Sequence, residues 1–329
     1  MLATLALALF GSAPGAAPAL DCAEFQRLVR ATYDFRPSRL DAKQKEAKSA
    51  RMDAFWKRVQ GAPKELVPCL REALEAPDAD AWFQVDGSAL LVEADPSPAS
   101  KELQARLWSA ADLDDLEPEA WMRTLAGLGA QGFDVSEAAR RWMREPHAFT
   151  VAAHALTVNL RYGARFLIGS MDEAQALAVL EPIAADPKSP VREVALDVIA
   201  CLATPEALRA LKRIGLEGCE EKTRRALEPL LGAWKAPSGR SPRGVTSRSS
   251  ALAAMKAYAA GKPEKWAEIE RSSEHWAAEL LGALKAEDLA LLRRVRRLRA
   301  ACMSDEALDA YSELSGVLMA LTWKPEYVQ

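Results

Sequence analysis

The sequence is poor in the residues that usually carry catalysis and metal binding. Its 329 residues include three histidines. His147 and His154 lie seven positions apart and would need a third converging ligand to hold zinc. The patterns G-x-S-x-G, H-E-x-x-H and the P-loop do not occur. We therefore expect no metal and no cofactor, and we favour a non-catalytic protein while leaving open that it is an enzyme.

A strong net charge and long apolar runs are also lacking. The formal net charge of −3 gives no bulk attraction to nucleic acid, and no apolar run is long enough to span a bilayer. Residues 2–10 form a short apolar run, and small residues follow, ending in the A-x-A pattern Ala17-Pro18-Ala19. This order is typical of a secretory signal peptide, although no Lys or Arg precedes the apolar run.

We therefore expect residues 1–19 to be a signal peptide and the protein to be exported, either to the periplasm or outside the cell. The alternative is a buried N-terminal helix. Asp21 directly precedes Cys22, which does not fit a lipoprotein cleavage box, so we expect no lipid anchor.

The five cysteines are Cys22, Cys69, Cys201, Cys219 and Cys302, and no two of them form a C-x-x-C pair. In an oxidising compartment some should be paired, and the odd number leaves at least one without an internal partner. We favour a disulfide between Cys22 and Cys69. Cys201 and Cys219 should not pair, because the helical register places them about 20 Å apart, whereas a disulfide needs Cα atoms within about 7 Å.

The clearest pattern is a helical face that recurs along the chain. It first consists of six residues at the spacing of one helix face: Val191, Val194, Ala195, Val198, Ile199 and Leu202. An equivalent face begins at Leu160 and another at Thr223, so the spacing is 31 to 32 residues. A partner helix repeats in the same way, with Leu177 recurring as Leu208. One helix pair cannot bury its apolar face alone, so the pattern predicts stacked repeats.

The segment "DPKSPVREVAL" resembles the turn and second helix of a HEAT-type repeat. It has Asp186 in the turn, then Val191-Arg192 and Ala195-Leu196. The resemblance is best over residues 173–234, and it implies an α-solenoid with a protein-binding surface. The next unit departs from the pattern, since Gly218 replaces the turn aspartate and Pro229 interrupts the second helix.

The predicted fold is all-α: a superhelix of HEAT-like helical hairpins with additional N- and C-terminal helices. We divide the mature chain into an N-terminal helical region (20–95), the repeats (96–234), a flexible linker (235–250) and a C-terminal helical region (251–329). The linker is rich in Pro, Gly and Ser and contains no acid. The least helical stretch is residues 82–98, where Asp86-Gly87 is a turn signal.

Two sets of arginines are candidates for binding. Arg161, Arg192 and Arg224 occupy equivalent repeat positions and could line a protein-binding surface; the alternative is that they pair with carboxylates of neighbouring repeats and hold the stack. The run "RRVRRLR", residues 293–299, favours a solvated amphipathic helix. Its alternatives are contact with an anionic partner, such as an acidic protein, lipopolysaccharide or phosphate, and, less favoured, with nucleic acid.

The favoured function is an exported, non-catalytic scaffold that binds another protein. One alternative is an enzyme or small-molecule carrier whose site lies between the solenoid and the C-terminal helices, with polar groups converging in a pocket. Another is a purely structural protein of the cell envelope.

Overall fold

The structure is a computed structural model that describes residues 21–33, 42–60, 64–111, 118–144, 149–151, 156–158, 160–231, 247–272 and 275–322. The predicted signal peptide therefore lies outside the described residues. Those residues are almost entirely helical, which confirms the all-α fold class. Within them, none of the helices combines the length and the apolar character that crossing a membrane requires.

The helices are numbered in chain order. They are α1 (Cys22–Tyr33), α2 (Ala42–Gln60), α3 (Val67–Leu74), α4 (Ala81–Ala94), α5 (Pro98–Ala110), α6 (Pro118–Ala130), α7 (Ser136–Arg144), α8 (Leu160–Ser170), α9 (Glu173–Ala185), α10 (Arg192–Leu202), α11 (Pro205–Ile214), α12 (Glu221–Leu231), α13 (Arg248–Ala259), α14 (Glu264–Glu270), α15 (Trp276–Ala283), α16 (Leu289–Ala300) and α17 (Asp305–Thr322). Between α7 and α8, strands β1 (Phe149–Val151) and β2 (Leu156–Val158) pair antiparallel, with Thr150 opposite Thr157. The sequence analysis did not predict this ribbon.

The chain divides into two compact units, Met1–Ser100 and Lys101–Gln329. The predicted repeats and the predicted C-terminal region thus lie almost entirely within one unit. Of the predicted linker, residues 235–246 lie outside the described residues. From Arg248 the chain is helical, because Ser247 caps α13 by accepting a hydrogen bond from the Ser250 backbone N–H.

The first unit is built around an aromatic core. Phe25 and Tyr33 of α1 pack against Phe55 of α2 and Phe83 of α4, with ring centroids 5.3 to 6.3 Å apart. The Tyr33 hydroxyl donates to Asp86 at 3.2 Å and so ties α1 to α4. Burial, with smaller contributions from neighbouring groups, raises the pKa of the Asp86 carboxyl to about 6.

The structure corrects the prediction for residues 82–98, most of which form α4. Asp80 caps this helix by accepting hydrogen bonds from the backbone N–H groups of Trp82 and Phe83. Gly87 is buried, and a Cβ atom there would come within 3.1 Å of Leu74. Gly87 therefore allows close packing against α3, Asp86 is held by Tyr33 of α1, and these tertiary contacts override the local turn signal.

In the second unit, alternate helices form two rows. The helices α7, α9 and α11 contact one another in sequence, and so do α8, α10 and α12. Each member of one row also contacts the next helix of the other row, which is the contact pattern of consecutive helical hairpins. Contrary to the sequence analysis, α12 continues through Pro229 to Leu231.

The C-terminal helices pack on the same unit. Helix α16 contacts α6, α8, α13 and α17. A continuous apolar cluster, which includes Met255, Trp266, Leu280, Leu292 and Leu314, joins α13 to α17. The helices after residue 247 thus share the second unit with the repeat helices.

Candidate functional site

Helix α16 carries the arginine run of the sequence, and one of these arginines is buried. Leu292, Val295 and Ala300 are buried on one face of this helix, as the apolar spacing predicts. Arg296 lies on the same face and is 0% exposed. The preferred sequence interpretation, a solvated helix, is therefore wrong for the centre of the run, because α9, α10 and α17 cover it.

Arg296 joins three helices through its guanidinium group. Its Nη1 donates to the backbone oxygens of Cys201 at 2.6 Å and Leu202 at 3.1 Å, which are at the end of α10. Nη1 also reaches the Ser315 hydroxyl on α17 at 3.4 Å, and Nη2 lies 3.0 Å from a carboxylate oxygen of Glu173 on α9. The guanidinium carbon lies 5.4 Å from the centre of the Tyr311 ring.

The placement of Arg296 follows from helix electrostatics. The last carbonyl groups of a helix lack helical donors and carry partial negative charge, which favours a cation. Glu173 lies in the first turn of α9, where a carboxylate is favoured. A guanidinium between the end of α10 and the start of α9 therefore satisfies both helix ends.

Arg297 extends this contact at the start of α9. One of its Nη atoms lies 3.0 Å from an oxygen of Asp172 and 3.5 Å from the second oxygen of Glu173. Asp172 is also the cap of α9, since it accepts a hydrogen bond from the Ala174 backbone N–H at 3.0 Å. The two arginines thus neutralise both carboxylates at this helix start.

Next to Arg296 is a second polar group, which we call the junction cluster: Arg165 of α8, Asp197 and Cys201 of α10, and Tyr311 of α17. Arg165 and Asp197 form an ion pair at 3.0 Å. Tyr311 is 1% exposed, and its hydroxyl has no hydrogen-bond partner among the described residues. Gly169 backs the phenol ring so closely that a Cβ atom there would lie 3.0 Å from the hydroxyl.

The electrostatics of the junction cluster keep its phenol neutral and its guanidinium charged. Burial raises the pKa of the Tyr311 phenol above its ordinary value, and the Arg296 charge opposes this only in part. Burial alone would lower the pKa of Arg165, but Cys201 and Asp197 more than offset it, so the net pKa is raised. Cys201 is a partly exposed thiol that is not in a disulfide. The cluster brings a thiol, a neutral phenol and an ion pair together.

In the described part of the chain, no three His, Cys, Asp or Glu side chains are grouped so as to hold a metal ion. His147 and His154 lie outside what the structure describes at the side-chain level.

Arg192 does not lie on an exposed surface, which corrects its candidate role in partner binding. It is 8% exposed, and its Nε donates to the backbone oxygen of Ala184 at 3.0 Å. Nη1 reaches the backbone oxygen of Glu217 at 2.6 Å and the sulfur of Cys219 at 3.3 Å. The side chain therefore ties the last turn of α9 to the turn before α12, using carbonyl groups rather than the carboxylates that the alternative interpretation proposed.

Of the other two candidate arginines, the structure describes the side chain of Arg224. Arg224 is exposed and pairs with Glu221 of its own helix at 3.1 Å, with half of its side chain accessible. The side chain of Arg161 lies outside the described residues. The cysteines are placed as the sequence predicted: Cys22 and Cys69 form a disulfide between α1 and α3, whereas neither Cys201 nor Cys219 is in a disulfide.

Polar contacts between hairpins recur at the repeat spacing. Arg165 and Asp197, on α8 and α10, are 32 residues apart in sequence. Arg213 of α11 and Glu181 of α9 form an ion pair across the same separation. The Thr223 hydroxyl of α12 donates to Glu193 of α10, 30 residues earlier, at 2.6 Å. A search of the sequence for polar partners one period apart could have found these pairs.

The fold and these contacts define an all-α protein of successive helical hairpins with a polar junction at its C-terminal helices. Comparison with protein-family models, with curated proteins and with solved structures finds no match to the chain. The resemblance to HEAT-type repeats therefore depends on the pattern of residues 173–234.

Proposed function

We propose that the protein is an exported, non-catalytic helical-repeat protein of the HEAT type that binds another protein as an interaction scaffold. The observation that carries this proposal is the set of polar contacts between hairpins at separations of 30 and 32 residues. Such contacts are expected where equivalent positions of successive repeats face each other. Stacked repeats bury one continuous core and leave extended faces on which a partner protein can bind.

Export is supported by the disulfide between Cys22 and Cys69. Structural disulfides persist in oxidising compartments and are rare where thiols are kept reduced. The apolar run and the A-x-A pattern at the start of the sequence point to the same compartment.

The outer faces of α11 and α12 are the best candidates for partner binding. Lys212 of α11 and Lys222 and Arg224 of α12 are exposed. These residues replace the earlier candidate Arg192, whose reversal to glutamate would leave a buried carboxylate among carbonyl groups and unfold the protein.

A capture experiment tests this proposal. Residues 20–329 are immobilised and exposed, with chemical cross-linking, to envelope and culture-medium extracts of the source organism. We expect one saturable protein partner, whose capture is lost when Lys212, Lys222 and Arg224 are changed to Glu. A control variant carries Lys256→Glu and Lys265→Glu, which are exposed on α13 and α14. Failure to capture any partner above background would overturn the proposal.

The second candidate function is a small-molecule carrier, and the junction cluster is the observation that favours it. Its polar groups converge between the repeat helices and α16 and α17, and the buried Tyr311 hydroxyl has no partner among the described residues. A bound ligand should protect the partly exposed Cys201 thiol from alkylation. If small-molecule extracts leave the alkylation rate of Cys201 unchanged, the carrier function is refuted.

A further inference from the structure

One arginine of α16 differs from the others in having no hydrogen-bond or ion-pair partner in the part of the chain that the structure describes. Arg294, Arg296 and Arg297 each donate to a carbonyl or a carboxylate, and Arg299 forms an ion pair with Glu270 at 2.9 Å. Among the described residues, Arg293 has neither a hydrogen bond nor an ion pair. Its Nε is buried and unsatisfied, as it is in Arg296, Arg297 and Arg299, so the difference lies in the other two nitrogens of the guanidinium. A partly buried cation without a direct ion pair or hydrogen bond is unfavourable, so this position favours an anion.

The charges around Arg293 show why the chain itself does not supply that anion. Arg293 interacts electrostatically with Glu173 and Glu206, and it is opposed by Arg296 and Arg297. Both carboxylates are already engaged. Glu173 lies 3.0 Å from Arg296, and Glu206 pairs with Arg209 at 2.6 Å.

One positive charge is therefore left over at this point of the molecule. Among the described residues, Arg296, Arg297 and Arg209 pair with the three carboxylates of Asp172, Glu173 and Glu206. Arg293 is the fourth guanidinium group, and it interacts with two of these carboxylates only at longer range. Burial lowers the pKa of Arg293 below its ordinary value, as expected for a cation that is desolvated but not fully compensated.

We propose that Arg293 binds a single carboxylate group that comes from outside the chain, at the point where α16 passes the starts of α9 and α11. A guanidinium can hold a carboxylate through two parallel hydrogen bonds. One carboxylate balances the one surplus charge. A phosphate dianion would exceed it, and it would be repelled by Glu173 and Glu206. The carboxylate belongs either to a small carboxylic acid or to an acidic side chain of another protein.

Nuclear magnetic resonance of the arginine Nε–H groups tests the site directly. The full chain is titrated with sodium acetate against sodium chloride at equal ionic strength and neutral pH. We expect the Arg293 signal, identified by its loss in Arg293→Met, to move saturably with acetate and not with chloride. The control is Arg294→Met, because Arg294 is exposed on the same helix and bonds only a carbonyl. In the Arg294→Met variant, the Arg293 signal should still move saturably with acetate. Absence of a saturable shift, or its loss in the control, would overturn the proposal.

A capped tripeptide with one central glutamate separates the two sources of the carboxylate. Tighter binding of this peptide than of acetate favours a protein side chain, and binding of acetate alone favours a small acid. If neither binds, the proposal is refuted, whatever the capture experiment shows.

Thermal melting without any carboxylate gives an independent readout. Because Arg293→Met removes an uncompensated charge, it should raise the melting temperature by about 2 °C or more. Arg293→Gln serves as a second variant if the methionine perturbs packing. A fall in melting temperature for both variants would mean that the folded chain already satisfies Arg293, which contradicts the proposal.

Discussion

Replacing Arg296 by Met should strongly destabilise the second unit. The substitution keeps much of the apolar stem but removes the cation that joins α9, α10 and α17. It leaves Glu173 with only the longer contact to Arg297, at 3.5 Å. It also leaves the backbone oxygens of Cys201 and Leu202 without this donor. Breaking a buried ion pair by removing one partner costs about 3–5 kcal/mol, and each unsatisfied buried carbonyl adds about 1–3 kcal/mol where water cannot replace the donor.

We therefore expect the free energy of unfolding to fall by about 4 kcal/mol. The matched control is Arg297→Met, because Arg297 is 20% exposed and contacts an Asp172 side chain that is 49% exposed. Arg297→Met should lower the free energy of unfolding by about 1 kcal/mol. Adding Glu173→Gln to Arg296→Met should recover part of the loss, because the uncompensated carboxylate is then neutral.

Urea denaturation followed by tryptophan fluorescence measures these differences through the midpoint and slope of the transition. Two results would refute this prediction. The free energy of unfolding of Arg296→Met could lie within about 1 kcal/mol of that of the unchanged protein, or it could equal that of Arg297→Met. Either result would mean that water replaces the guanidinium at the helix ends.

Three further predictions concern stability. The pKa of Asp86 is raised to about 6 in the folded state. The contribution of its protonated carboxyl to the free energy of unfolding is therefore fully present below about pH 4 and is lost as the pH rises through 6. The free energy of unfolding of the first unit should fall by about 2–3 kcal/mol across this pH range, and Asp86→Asn should abolish that fall when denaturation is measured as a function of pH. Removing the disulfide with Cys22→Ser and Cys69→Ser should cost the first unit about 2–4 kcal/mol in the same assay, and a reductant should not change the variant's melting temperature. Gly163→Ala places a Cβ atom against the buried indole of α7 and should cost about 1–3 kcal/mol. Gly127→Ala meets no atom within 4 Å and should be neutral or stabilising by up to about 1 kcal/mol in thermal melting.

The repeat helices were predictable because their signal is local. The face that begins at Val191 and its equivalent at Leu160 correspond to α10 and α8, and both follow the helical period. Side-chain pairs one repeat apart, such as Arg165 and Asp197, are a second signal that the sequence contains. Their regular spacing was not used in the prediction above. A helical period with regularly spaced partners contains most of the information needed to place these helices.

Arg296 and Asp86 were not predictable in this way, because distant parts of the chain decide their surroundings. Arg296 binds groups 95 and 123 residues away, and a periodicity analysis assigns every arginine to the solvent side. Asp86 and Gly87 have the composition of a turn, yet packing against α3 and the cap at Asp80 hold them in a helix. In both cases tertiary contacts outweigh local preference.

The run of arginines on α16 has one physical explanation for most of its members and another for Arg293. Arg296 and Arg297 satisfy the ends of α9 and α10, and Arg299 pairs with Glu270 of α14 at 2.9 Å. These contacts make α16 part of the core of the second unit, so a chain that ended before it would leave the end of α10 without its cation. Arg293 performs no such structural role among the described residues. An external carboxylate can bind Arg293 without breaking an existing contact, because the other arginines of α16 hold the fold together and Arg293 has no partner among the described residues.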